Sequence, residues 1–358
     1  MEIRTLAAQE RMQVATLLDG WRLAEGWSAG DRFRQQAEWD PTWHDENVFV
    51  ALEQGRLVST LSVVPRHLRI LGHVVPAGGV GNLYTDPAYR ARGIASELLE
   101  HACEAMRARG FELAVAFPGA PPATPEYFVK RGWFGWGGQK TILRADPAVT
   151  IAGEGEESEE IEVSPIGPGD ERALQSVKSI HAAYAASRSG TVARDDALWQ
   201  ACLQLTPAPR EEFLIARRGG LTVAYARASI VDDVLTITEL GRFEDGAGAL
   251  ARLIATLLTP RDDDALAPSG RGDRKASEQL RAFCVLPTFD DIGLTVALEH
   301  RGIRSHPMDE AKASFRCVNL IGFASRLDVD LLDDEDGAAF LRRILPPDAM
   351  VFWPADRF

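Results

Sequence analysis

Apolar residues in the first half of the chain recur in two rhythms. Val48–Glu53 and Arg56–Val64 are apolar runs joined by Gln54-Gly55, which predicts a β-hairpin. Leu68–Val75, turning at Gly72-His73, predicts a second hairpin. Val80–Thr85 reads as a further strand preceded by Gly78-Gly79, and Gly81 inside it predicts a bulge or a close approach by another backbone. From Ile94 the rhythm changes. Leu98, Leu99, Ala102, Ala105 and Met106 follow helical spacing, and Gly110 supplies the stop. Leu113–Phe117 is then a short buried strand, and Glu126–Arg131 a short helix before Gly132-Trp133. Arg11–Leu18 suits a helix ahead of all these.

The second half repeats this plan coarsely. Asp170–Ala186 and Asp195–Leu203 read as helices, and Glu212–Arg217 with Leu221–Val231 as a hairpin across Arg218-Gly219-Gly220. Val234–Leu240 is a strand, Ala249–Leu258 a helix, Leu280–Val285 a strand and Ile292–Arg301 a helix. The stretch from Arg261 to Asp273 is polar and reads as a long loop. The acidic run from Gly153 to Glu160, with two glycines, cannot bury itself and reads as a solvated linker. The expected organisation is therefore a domain over residues 1–150, a linker over 151–161, a second domain over 162–322 and a tail over 323–358. The fold class is α/β in the α+β sense, with mixed, mostly antiparallel sheets flanked by helices.

Composition narrows the function. At 358 residues with 46% hydrophobic and 25% charged positions, the chain has material for about two globular cores and is not a disordered or disulfide-stapled one. Lys+Arg is 39 against Asp+Glu 52, a net charge of −13, so nucleic acid and anionic lipid are expected to be repelled and small cations attracted. Cys103, Cys202, Cys284 and Cys317 stand too far apart for metal-ligand or redox spacing, which predicts buried thiols and no metal. The N-terminus lacks an apolar signal core, and no apolar run approaches the ~20 residues needed to span a bilayer. A cytoplasmic protein with no membrane partner is expected.

The chemistry concentrates in Leu83-Tyr84-Thr85-Asp86-Pro87-Ala88-Tyr89-Arg90-Ala91-Arg92-Gly93-Ile94-Ala95, between a predicted strand and a predicted helix. A helix beginning at Gly93 turns unpaired N–H groups and its positive dipole end towards whatever precedes it. Gly93 and Ala95 keep side-chain bulk away, so a diphosphate can approach the backbone, and Arg90 and Arg92 add positive charge. Alone, an Arg-x-x-Gly-x-Ala spacing also fits an ordinary strand-to-helix turn with solvated arginines. The order of the surrounding elements decides against that.

With those elements, the segment resembles the GCN5-related N-acetyltransferase (GNAT) superfamily, and Val48–Arg144 is similar to the enhanced-intracellular-survival type of tandem acetyltransferases. The shared features are the extra hairpin at Gly72, the Val-x-Gly strand, the Tyr-Arg-x-Arg-Gly loop and the closing Arg-Gly-Trp. The resemblance implies two tandem GNAT-like domains with a short C-terminal tail, and acetyl-CoA as cosubstrate. It implies that Leu83 and Thr85 face pantetheine, that Tyr84 between them belongs to the cofactor-binding set, and that Arg90, Ala91, Arg92, Gly93, Ile94 and Ala95 hold the diphosphate. The acceptor it implies is a primary amine, of a small cationic molecule or a lysine. A non-catalytic acyl-CoA sensor and a scaffold protein are the alternatives.

Two departures bear on catalysis. Family members often carry a tyrosine, four residues before the glycine that follows the closing helix, which protonates the leaving thiolate. Here that position is Phe128, with Tyr127 beside it, and one residue turns a helix by about 100°. Tyr127 is the candidate acid, against the alternative of a packed interface residue. In the second half, Leu240-Gly241-Arg242-Phe243-Glu244-Asp245-Gly246 sets acids where phosphates need cations. Like charges ~5 Å apart at an effective dielectric of ~20 repel by about 3 kcal/mol, so the second domain is expected to bind no CoA. His73 reads as structural, or as a general base if it lies near the acceptor cleft, and His101 as solvated. Trp21, Trp27 and Trp43 fit either an acceptor pocket or plain packing. The tail ends Phe352-Trp353-Pro354-Ala355-Asp356-Arg357-Phe358. By the same resemblance, the Phe358 carboxylate is the candidate base, against a structural clasp. The oligomeric state is left open.

Overall fold

A single twelve-stranded sheet runs through both halves of the protein. The computed structural model describes residues 1–24, 26–118, 125–146, 161–166, 169–205, 208–268, 273–287, 291–345 and 350–352. The linker over 151–161, apart from Ile161, and Phe358 lie outside the described residues.

The first half opens with β1 (Glu2–Thr5), α1 (Arg11–Leu18) and α2 (Ala29–Trp39), then β2 (Val48–Glu53), β3 (Arg56–Ile70) and β4 (His73–Thr85) as an antiparallel meander. Gln54 and Gly55 both take positive φ, 51° and 77°, as a two-residue hairpin turn requires. The expected second hairpin is an extension of the same two strands. Its turn falls at Leu71-Gly72, one residue earlier than expected, and Gly78-Gly79 sit inside β4 rather than ahead of it. A Cβ at Gly78 would lie 2.2 Å from Met106 Sδ, so this glycine lets a helix close onto the strand. The bulge falls at Asn82, φ 52°, not at Gly81: Ser62 pairs with Gly81, but Thr60 pairs with Tyr84.

Helix α3 (Ile94–Ala108) follows, with Ile94, Leu98, Leu99, Ala102 and Met106 buried against Leu61, Val63 and Val80. At ~1.5–3 kcal/mol for each large apolar side chain removed from water, this stripe fixes α3 over β4. Gly110, φ 82°, ends the helix as the sequence predicts. Next come β5 (Leu113–Ala116), α4 (Pro125–Val129) and β6 (Phe134–Ala145).

The second half mirrors the first. It contains β7 (Ile161–Pro165), α5 (Glu171–Ala185), α6 (Asp196–Gln204), β8 (Glu211–Arg218), β9 (Leu221–Val231), β10 (Val234–Arg242), α7 (Ala247–Leu258), α8 (Arg274–Leu280), β11 (Cys284–Pro287), α9 (Ile292–His300) and β12 (Ile303–Cys317). Leu280 closes α8, so the strand expected over Leu280–Val285 begins only at Cys284. The polar stretch from Arg261 is not wholly solvated either, because Asp264 is buried as the partner of Arg281. Two further helices follow, α10 (Leu320–Leu327) and α11 (Gly337–Ile344).

The strand order is β1-β2-β3-β4-β5-β12-β6-β11-β10-β9-β8-β7. Strand β12 lies between β5 and β6 of the first half, and β6 reaches β11 of the second. The order reads symmetrically from the β12–β6 pair outwards, so each half lends the other a strand. A shared core fills one side of this junction, from Leu68 and Val75 through Trp136 and Phe315 to Phe323, Phe340 and Phe352. The chain after α5 adds a strap, with Gly190 N–H donating to Arg69 O at 2.7 Å and Ala193 N–H to His67 O at 2.7 Å.

All four cysteines are free thiols. Burial pushes Cys103 and Cys284 up to about 12.

The exchanged strands make a direct prediction. Residues 1–150 expressed alone should aggregate or melt without cooperativity, because β5 and β6 lose the strand between them. Co-expression with residues 151–358 should restore a soluble complex by size-exclusion chromatography. A monomeric, cooperatively melting 1–150 fragment is the contrary outcome.

Candidate active site

The site begins where two parallel strands part. Strands β4 and β5 pair from Ala77–Leu113 to Val80–Ala116 and no further. From Gly81 to Thr85, β4 keeps β3 on one edge and, among the described residues, has no strand on the other, so backbone groups there face an open cleft. The cleft has about 620 Å³ of open space, bounded by Leu83 and Thr85, the loop from Tyr89 to Gly93, the first turn of α3, and Tyr127 and Arg131 of the α4 region.

The loop is built to leave N–H groups exposed. Asp86 Oδ1 accepts from Ala88 N at 2.9 Å, and Pro87 starts a short 3-10 turn through Tyr89. Ala91 and Gly93 both take positive φ, 59° and 82°, and Gly93 is the residue from which α3 starts, with no side-chain cap. Among the described residues, the N–H groups of residues 91–95 have no acceptor. A Cβ on Gly93 would meet no protein atom within 4 Å. Successive unpaired N–H groups at the positive end of a fifteen-residue helix form an anion cradle.

The arginines divide their work. Arg92 is paired through both guanidinium nitrogens with Glu53 at the β2–β3 turn and lies 5.5 Å from the Tyr89 ring centre. Arg56, from the same turn, pairs with Asp86 at 3.0 Å. The hydrogen bonds from Arg92 hold the Glu53 carboxyl below the usual carboxylate range. These pairs tie the loop to the hairpin tip. Arg90 is exposed, donates to Thr85 O at 3.0 Å and lies over the Tyr84 ring.

Of the expected donor-site residues, Leu83, Thr85, Arg90, Ala91, Arg92, Gly93, Ile94 and Ala95 all line the cleft. Tyr84 does not. Strand alternation turns its ring to the opposite face, where it stacks on Trp21 at 5.8 Å. Trp43 packs on Phe33, so both it and Trp21 belong to the α1–α2 core. His73 lies at the far hairpin, and His101 is exposed on α3.

Tyr127 faces the cleft, half-buried, whereas Phe128 is buried against Trp133 at 5.1 Å. The Tyr127 hydroxyl lies 3.4 Å from Ser96 Oγ. Arg131 and Ser96 were not anticipated. In the sequence Arg131 belongs to the closing Arg-Gly-Trp at the end of a short helix, with no role of its own.

The equivalent junction in the second half is closed. Cβ atoms at Gly241 and Gly246 would lie 2.7 Å from Tyr225 Cε1 and Val223 O, so these glycines serve packing. Arg242 bonds both oxygens of Asp291, at 3.1 and 2.7 Å, and donates to the Phe243 and Glu244 carbonyls. Asp245 is held by Arg218. Among the described residues no helix is long and apolar enough to cross a membrane, and no metal-ligating cluster forms.

Residues 2–135 match the family model described as an acetyltransferase (GNAT) domain. The first half of this chain carries a GNAT acetyltransferase domain. Solved structures show that the likeness in fold extends over both halves. A GCN5-related N-acetyltransferase from Anabaena variabilis is 14% identical with TM-score 0.60, covering 90% of this chain and 74% of that one. Eis1 from Mycobacterium abscessus is 17% identical with TM-score 0.57, covering 91% and 76%. A tandem GNAT protein from the clavulanic acid biosynthesis pathway is 15% identical with TM-score 0.52, covering 89% and 98%. No curated protein matches the sequence. The fold is thus a tandem GNAT arrangement, with an open junction in the first unit and a plugged one in the second.

The plug is expected to carry stability. Burial, the largest single influence on Asp291, raises its pKa, but hydrogen bonds from Arg242, Tyr184 and Leu294 N–H outweigh it and hold the carboxyl below its ordinary value. A depressed carboxylate stabilises above its unfolded value, ~3.9, and that contribution disappears as pH falls through the native value. Asp291→Asn should therefore lower stability near pH 7 by roughly 2 kcal/mol, leaving Arg242 without its carboxylate partner. As pH falls from about 4 through the native value, its Tm should converge on that of the parent. Parallel Tm profiles from pH 7 to 3 are the contrary result.

Proposed function

We propose that the protein is an acetyl-CoA-dependent N-acetyltransferase acting on a primary amine of a small cationic molecule or a lysine. The observation that carries this is the continuity of one cleft, from the unpaired edge of β4 into the uncapped start of α3. The β4 edge is a hydrogen-bonding rail for an amide-containing arm, and the 91–95 cradle suits a diphosphate. No other described junction combines the two.

In this reading, backbone N–H groups of the Leu83–Thr85 edge polarise the thioester carbonyl and stabilise the oxyanion. The neutral amine nitrogen forms the new C–N bond as the C–S bond breaks. Tyr127 gives its hydroxyl proton to the departing thiolate, and the amine's proton leaves to a base through water. The candidate base is the Phe358 carboxylate. Its support is the course of the chain before it: Val351 N–H donates to Ser189 O at 2.8 Å, and the Phe352 ring lies 5.3 Å from Phe117, the residue after β5. The six residues after Phe352 span at most about 20 Å when extended. A net charge of −13 favours cationic acceptors through the long-range field. A sensor that binds acyl-CoA without turnover is the second reading. Phe128 favours it, and the exposure of Tyr127 to the cleft weighs against it.

Gly93→Leu adds bulk at the cradle from a Cβ that meets no protein atom within 4 Å, while straining a positive φ by about 1–2 kcal/mol. CoA affinity by calorimetry should fall at least tenfold with the fold retained, and the parent should bind one CoA per chain. Unchanged affinity in the variant, or two sites in the parent, contradicts the assignment.

Deleting Phe358, or adding a short C-terminal tag, should abolish turnover at unchanged CoA affinity and Tm. Full activity in the tagged protein would leave the tail as a clasp only.

A further inference from the structure

The cations around the cradle are not equivalent. Arg92 is already paired with Glu53 and Arg56 with Asp86, so these two guanidinium groups carry their own counter-charges. Arg90 is exposed and directed back to Thr85 O and the Tyr84 ring. Arg131 differs from all three. It follows α4, is half-buried, and lines the same cleft. Its Nε and Nη2 donate to Ser96 Oγ at 2.9 and 2.7 Å, and its Nη1 donates to Tyr127 O at 2.7 Å. The guanidinium lies 3.6 Å from the Tyr127 ring centre. Every one of these partners is neutral, and no carboxylate reaches Arg131 among the described residues.

A half-buried cation without a counter-ion is unusual, because removing charge from water is unfavourable unless the charge is met. Ser96 belongs to the first turn of α3, so the unmatched charge sits beside the uncapped N–H groups of Ile94 and Ala95. The stacked guanidinium, held by three hydrogen bonds, is fixed in one orientation before any ligand arrives, which lowers the conformational cost of binding.

We propose that Arg131, supplied by the closing helix and not by the Arg-rich loop, is the principal cationic ligand of the donor's phosphate groups, with Arg92 acting mainly to anchor the loop. This rests on the reading of the cleft as an acyl-CoA site. One side chain then joins donor recognition to the candidate acid, since Arg131 grips phosphate while stacked on Tyr127.

The test compares full-length Arg131→Gln, Arg131→Lys, Arg92→Gln and Gly93→Leu proteins against CoA and against acetyl-pantetheine, which lacks the phosphates. Arg131→Gln should lose at least tenfold in CoA affinity, with a flatter dependence on salt and an unchanged response to acetyl-pantetheine. Arg131→Lys should recover part of the loss, and Arg92→Gln should lose less than Arg131→Gln. CoA affinity within threefold of the parent in Arg131→Gln overturns the proposal. So does an equal loss for acetyl-pantetheine, which marks a structural role. If Gly93→Leu loses CoA while Arg131→Gln keeps it, this inference alone fails. If the parent binds no CoA, the reading of the cleft fails with it.

Discussion

Strand β12 runs antiparallel along β6 from Ala145 to Phe134, with only a single irregularity near Ala311–Ala313, and its last four residues also pair with β5. That placement occupies the edge of β5 which faces away from β4. Short β5 is paired along its whole length on both sides, with β12 and with β4, and it is β4 that runs on past it from Gly81 to Thr85. The parting of β4 from β5 can be a stable feature because β5 is anchored elsewhere. A strand lent by the second half thus holds open the cleft of the first, although none of its residues borders the cleft.

The same exchange imposes a common plan on both halves, and they have filled it differently. Both β4 and β10 carry an irregularity just before the junction, at Asn82 and Thr238. In β4 the segment beyond it faces open space. In β10 the next residue is Glu239, fully buried, with Arg194 at 2.8 Å, Tyr225 Oη at 2.7 Å and His181 Nδ1 at 3.1 Å. Burial opposes ionisation of Glu239 most strongly, yet Arg194, His181 and Arg227 together outweigh it and keep the carboxyl charged. Such a network is stable only when each charge is met, so it leaves little freedom for a ligand. Arg194 comes from the strap that pairs with β3, so the filled site also fastens one half to the other.

Much of this was legible where structure is local. Helices α1 and α3, the β2–β3 turn and the positive φ at Gly93 and Gly110 follow from periodicity and from glycine's freedom. The loop chemistry was legible too, because an uncapped helix start after a strand depends on a dozen consecutive residues. Strand β4 was cut short because Gly78-Gly79 resembles punctuation, whereas the room that Gly78 leaves is taken up by Met106. Strands β6 and β12 escaped notice for a different reason. Their glycines, at 135, 137 and 138, and charges, as at Arg304 and Asp309, give no strand pattern by themselves. They become strands because each completes the other's sheet from far along the chain, and such pairing leaves no mark in a local window. Arg131 was overlooked on similar grounds: read locally, Lys-Arg-Gly only ends a helix.

The offset between Phe128 and Tyr127 shows how a reactive position moves without losing its surroundings. Helix α4 is only five residues long, so its rotation is set by what grips it more than by its own hydrogen bonds. Phe128 is clasped against Trp133, and Val129 meets the small surface of Gly135. Those contacts turn the helix so that the preceding residue faces α3. Arg131 then fixes Tyr127 from two directions, by its hydrogen bond to the carbonyl and by stacking on the ring. An aromatic at 128 in the core and a phenol at 127 in the cleft are thus one arrangement. Exchanging the two residues would remove the hydroxyl from the cleft and bury it beside Trp133, whose own Nε1 already lacks a partner.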